Sequence, residues 1–122
     1  MKPQLAVALL LTASAAGAAE GVYLARAGKP TAEIVIGAEA SAQAREAAGE
    51  LQTCVRRMSG AELPVSEKPT GKHTATVLVG KAAAKETAAA LGLTIPSGLT
   101  NDFDDEGYVV ATTGDRLLLA GR

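Results

Sequence analysis

The sequence predicts an α/β (α+β) fold: a two-layer sandwich with a mixed β-sheet, two helices on one face, and a signal peptide in front. Three observations carry this. Glu33–Gly37 (EIVIG) and Ala75–Gly80 (ATVLVG) are short apolar, β-branched runs closed by glycine, the type and length of buried strands. Residues 40–58 space their apolar side chains as one face of a helix. The last residues alternate and turn like a hairpin.

Taken in order, residues 20–32 mix apolar and loop residues, with room for a short strand before Gly28-Lys29-Pro30. The first helix follows the EIVIG strand. Ala44, Ala47, Ala48, Leu51, Cys54, Val55 and Met58 keep to the i, i+3, i+4, i+7 pattern and predict one buried stripe, with Cys54 a buried structural thiol. Ser41 suits the N-cap, Arg56 and Arg57 suit the negative end of the helix dipole, and Gly60 suits the left-handed C-terminal position. Leu63-Pro64-Val65 reads as a short strand whose proline belongs at an edge or a strand start. After ATVLVG, Lys81–Leu91 is helical, with Ala84, Ala88 and Leu91 on one side and Gly92 closing it. Residues 94–106 are loop, and Gly107–Thr112 and Arg116–Ala120 form a hairpin turned around Thr113-Gly114-Asp115. The order is β-α-β-β-α-β-β. Leu117-Leu118-Leu119 is continuously apolar, as in a strand covered on both faces, whereas two helices on one face leave the other bare.

The amino terminus has the three parts of an export signal. Lys2 is positive, Leu5–Leu11 is an apolar core, and Ala16-Gly17-Ala18 offers small residues for cleavage after Ala18, or after Ala19. The uncharged stretch from Pro3 to Ala19 is short and alanine-rich for a membrane span, so no stable span is expected after cleavage. The expected organisation is a signal peptide at 1–18, an N-terminal segment at 19–31 and one domain at 32–122, periplasmic or extracellular. Beyond residue 18, 11 basic and 13 acidic side chains remain, a balance that gives no support to a nucleic-acid surface, which would show clustered Lys and Arg. One cysteine permits no internal disulfide. With no Trp, one Phe and two Tyr, the core is aliphatic and few rings are available to stack on sugars.

No catalytic set emerges. Gly80-Lys81 after a strand resembles part of a phosphate loop, but position 75 is Ala75 instead of glycine and position 82 is Ala82 instead of Ser or Thr. Asn101–Gly107 places Asp102, Asp104, Glu106 and Gly107 like the start of a calcium loop, but the twelfth position is Thr113, which cannot supply the bidentate acid. The same acids, adjacent in a loop, give no placement across a glycosidic bond. His73 sits in a polar loop beside Lys72, and one histidine with one buried cysteine cannot build a zinc site. No catalytic, cofactor-binding or metal-binding residue is therefore assigned, and no cofactor is expected.

Read as a whole, several short motifs recur in a specific order. They are Ala32-Glu33-Ile34-Val35-Ile36, Ala47-Ala48-Gly49-Glu50-Leu51-Gln52, Ser59–Val65, Val77-Leu78-Val79-Gly80, Asp105–Val110 and Gly114–Gly121. From about residue 31 onward the chain resembles the N-terminal accessory domain of alpha-glucuronidase-type glycoside hydrolases (family 67), which is also similar to the second domain of beta-hexosaminidases. The resemblance implies a non-catalytic domain of an exported enzyme of polysaccharide breakdown, acting on xylan-type glycans. Its partner would be a C-terminal (β/α)8 barrel that holds the catalytic carboxylates. It also implies a further helix after Ala120-Gly121 that packs on the domain, so the chain is expected to be C-terminally incomplete. The alternative is a free-standing secreted module that binds a polysaccharide or a protein.

Overall fold

A computed structural model describes residues 21–96 and 107–121 of the chain. Strands β1 (Ala25–Arg26) and β2 (Lys29–Pro30) form a small hairpin. Ala27 and Gly28 both take positive φ, as a two-residue turn of the mirror-image type requires. The main sheet contains β3 (Ala32–Val35), β4 (Val65–Ser66), β5 (Ala75–Val79), β6 (Tyr108–Thr113) and β7 (Arg116–Gly121), in the order β4-β3-β5-β7-β6. β4, β3, β5 and β7 run parallel, and β6 returns antiparallel on the outer edge.

Helix α1 (Ala42–Ser59) begins and ends as the sequence predicts. Ser41 accepts from the Ala44 N–H at 3.1 Å, and Gly60 takes the left-handed conformation and donates to Arg56 O at 2.8 Å. Helix α2 (Lys81–Ala90) follows β5 directly and stops where Gly92 turns left-handed.

The two helices lie on opposite faces of the sheet, which corrects the expected two-layer arrangement to three layers. Ala48 and Val55 of α1 pack with Ile34, Ile36, Val77 and Val79. Ala84 and Ala88 of α2 pack with Val35, Leu78, Leu118 and Ala120. Strand side chains alternate between faces, so these two sets belong to opposite sides of one sheet. The cause lies in the connections. α1 leads from β3 outward to β4, whereas α2 leaves the adjacent β5 in the opposite direction, toward β6 and β7. Parallel strands whose following helices diverge in this way place them on opposite faces. Apolar runs in β3, β5 and β7 without polar alternation are the corresponding sequence signal, since a strand covered twice has no solvent face.

The connection from β4 to β5 contains no helix. Residues 67–74 return from the end of β4 to the start of β5 as irregular chain, and they cross over β3 on the α2 face, where Glu33 projects. On the α1 face, Val22 and Leu24 ahead of β1 pack against the same core as α1.

Candidate functional site

Two surfaces stand out. The first is an apolar trough on the α1 face. α1 covers β3 and β5 and leaves β7 and β6 bare on that side. Cross-strand pairing puts Tyr108, Val110 and Thr112 on the same face as Gly121, Leu119 and Leu117. All three β6 residues are exposed there, Tyr108 at 74% and Val110 at 61%, while Leu117 and Leu119 are half-buried. The other wall is the flank of α1. Ala47, Leu51, Cys54 and Met58 recur at i, i+4, i+7 and i+11, and that flank meets the sheet through Ala47 and Leu51. The end of the trough nearest the helix N-terminus encloses about 630 Å³ between Ala44, Ala47, Leu51, Val79, Val110 and Leu119.

Cys54 is exposed on this flank, not buried as the periodicity predicts. The apolar stripe of α1 is wider than the face the sheet covers. Ala44, Ala48 and Val55 are buried, whereas Ala47, Cys54 and Met58 are not. The continuously apolar β7 divides the same way: Leu118 is fully buried beneath α2, and Leu117 and Leu119 face the trough.

The second surface is a polar cavity of about 730 Å³ on the opposite face, beside the 67–74 crossover. Its floor holds Glu33, the one buried charged side chain among the described residues, only 1% exposed. A crossover without a helix leaves backbone N–H groups in need of acceptors, and the carboxylate supplies them. Thr70 N donates to Glu33 Oε1 at 2.7 Å, Thr70 Oγ1 donates to Oε2, and the Gly71 N–H also faces the group. Burial pushes the carboxyl pKa up, but these bonds, with His73 nearby, outweigh it and hold the group below its ordinary 4.5. His73 Nδ1 lies 3.7 Å from Glu33 Oε2, buried and without a hydrogen-bond partner.

This cluster is poorly arranged for catalysis. Thr70 Oγ1 gives its one proton to the carboxylate instead of the imidazole, so no acid–base–nucleophile relay exists. A carboxylate held below its ordinary range is also a weaker base, the opposite of tuning toward a working pH. What the geometry does is fasten a loop to a strand. Neither Glu33 nor the position of His73 against it is foreseen in the sequence reading, which treats one as a strand residue and the other as a loop residue.

Gly80 joins β5 to α2 as a packing residue. A Cβ there would lie 2.6 Å from that of Ala44, so glycine is what allows the start of α1 to sit against the β5–α2 junction. The acidic run Asp102, Asp104, Asp105 and Glu106 lies outside the described residues, as does the stretch 1–18 that the sequence predicts to be an export signal. Among the described residues no group of three or more His, Cys, Asp or Glu is placed to hold a metal ion. No described helix is long and apolar enough to cross a membrane. Comparison with models of protein families, with curated proteins and with solved structures finds no match.

Proposed function

We propose that this chain is a non-catalytic accessory module of an exported glycoside hydrolase involved in polysaccharide breakdown, resembling the N-terminal domain of alpha-glucuronidases that act on xylan-type glycans. The observation that carries the reading is the trough. An apolar flank of α1 beside a bare apolar strip of β6 and β7 is the shape that seats a helix against a sheet. In this reading the occupant belongs to the rest of the enzyme, and filling the trough ties the module to its catalytic barrel. The motif order from Ala32 to Gly121 supports the same assignment. Export follows from the leader, with cleavage after Ala18 or Ala19.

The reading expects the purified chain to hydrolyse neither aryl glycosides nor glucuronoxylan. A glycosidase activity that co-purifies with the chain, and is abolished when Asp102, Asp104, Asp105 or Glu106 is replaced by alanine, contradicts it. Such a result would put the chemistry inside this polypeptide.

A further inference from the structure

We propose that Glu33 and His73 form a pH-sensitive latch, tightest in weakly acidic solution, which fixes the 67–74 crossover on the sheet and so shapes the polar cavity beside it. The inference does not depend on the accessory-module reading.

The geometry begins with the crossover itself. The 67–74 segment connects two parallel strands without a helix of its own. On β3, Glu33 holds it through Thr70 and Gly71, and within it Ser66 Oγ donates to Lys68 O at 2.8 Å. A carboxylate has about four acceptor directions; Thr70 N and Thr70 Oγ1 fill two of them, and Gly71 N faces the group. His73 Nδ1 stands opposite Oε2 at 3.7 Å, its nitrogen sealed from water and bonded to nothing. A bare lone pair against an anionic oxygen is repulsive, so this nitrogen is suited to carry hydrogen. When the imidazole takes up a second proton, closing a gap of less than an ångström creates a charge-assisted bond to the remaining acceptor site. Both partners then hold the crossover, one from the strand and one from the loop.

The surroundings do not dictate this behaviour by themselves. Glu67 and Lys68 from the crossover, Lys85 and Glu86 from α2, and Asp115 and Arg116 from the β6–β7 turn line the same cavity, three acids against three bases, and Lys72 adjoins His73 in the chain. The sign follows from the pair. The imidazolium–carboxylate bond is charge-assisted, so it is stronger with the ring protonated than neutral and weakens as protons are withdrawn with rising pH. It also needs an ionised Glu33, so it is lost again only as pH falls through the Glu33 value, which the fold holds below the ordinary 4.5. The latch is therefore tightest in weakly acidic solution, where the ring is charged and Glu33 is still ionised.

Amide hydrogen exchange followed by NMR on the whole chain tests this. The quantity is the protection of Thr70 and Gly71 relative to that of Val77 in β5, which cancels changes in global stability. The ratio is expected to rise about tenfold from pH 8 to pH 5.5, the equilibrium worth of one such bond, and to fall again when stronger acid protonates Glu33. His73→Gln, at a partly exposed position, should abolish the rise and keep the low-pH fall; Glu33→Gln should abolish both. If Glu33→Gln does not fold, the His73→Gln comparison decides alone. A ratio that is flat between pH 8 and 5.5, or a rise that survives in His73→Gln, overturns the latch.

Discussion

Glu33 shows how a single side chain can serve the backbone of a distant segment. Its buried carboxylate stands in for the helix that the β4–β5 crossover lacks, giving crossover N–H groups their acceptor. Glu33→Ala should cost on the order of 3 kcal/mol in a denaturant melt, because the two bonds from Thr70 to an ionised carboxylate are lost. The pH dependence has a defined sign. A carboxyl held below its unfolded value stabilises the fold above that value, so stability is fully present above about pH 4.5 and declines as pH falls through the folded value. Wild-type and Glu33→Gln chains should therefore converge in acid-induced unfolding, and a constant difference between them down to pH 2 would contradict this. Gly80 makes the second point at this scale. Gly80→Ala adds a Cβ 2.6 Å from that of Ala44 and places a side chain at φ +88°, so it should destabilise by about 1–3 kcal/mol. An unchanged melting temperature would mean that the start of α1 moves freely, against the packing described here.

At the scale of elements, α1 and β7 were legible in the sequence because their signals are local. The cap at Ser41, the left-handed stop at Gly60 and the apolar run Leu117–Leu119 each depend on neighbours a few residues away. What was not legible is which side each element faces. Periodicity finds an apolar stripe but not its partner, so it places Ala47, Cys54 and Met58 with the core although all three are exposed. Glu33 was hidden for a related reason. A β-branched run marks a strand, and only the passage of residues 67–74 across β3 turns its acidic member into a buried acceptor. The edge strand β6 yields a prediction of its own. Tyr108-Val109-Val110-Ala111-Thr112-Thr113 carries no charge and no proline, and the carbonyls of Leu119 in β7 and of Asp115 just before it accept from Gly80 and Thr76 at β5, not from β6. Alternation then leaves the backbone groups of Tyr108, Val110 and Thr112 pointing outward. Such an edge invites pairing between chains. Val110→Lys should suppress concentration-dependent association in sedimentation experiments while changing unfolding stability by no more than about 0.5 kcal/mol. Association that persists undiminished would place the sticky surface elsewhere.

For the whole molecule, the three layers are unequally filled. The α2 face carries α2 over β5 and β7 and the crossover over β3, with a polar cavity beside them, whereas the α1 face ends at an apolar trough. Each large side chain left at its margin gives up roughly 1.5–3 kcal/mol of burial, a substantial part of the stability a domain of this size commands. The proposed role as an accessory module rests on that asymmetry: a surface unfavourable in isolation becomes an interface when a helix covers it. The most direct test is a thermal melt by circular dichroism of residues 19–122, alone and extended at its carboxyl end by an amphipathic helix. The extended chain should melt cooperatively and several degrees higher, at about 4–8 °C for each kcal/mol gained, and Leu119→Lys should erase the gain. A short chain that melts as sharply and at the same temperature as the extended one would contradict the account. The trough would then be a finished surface, and the chain a domain sufficient in itself.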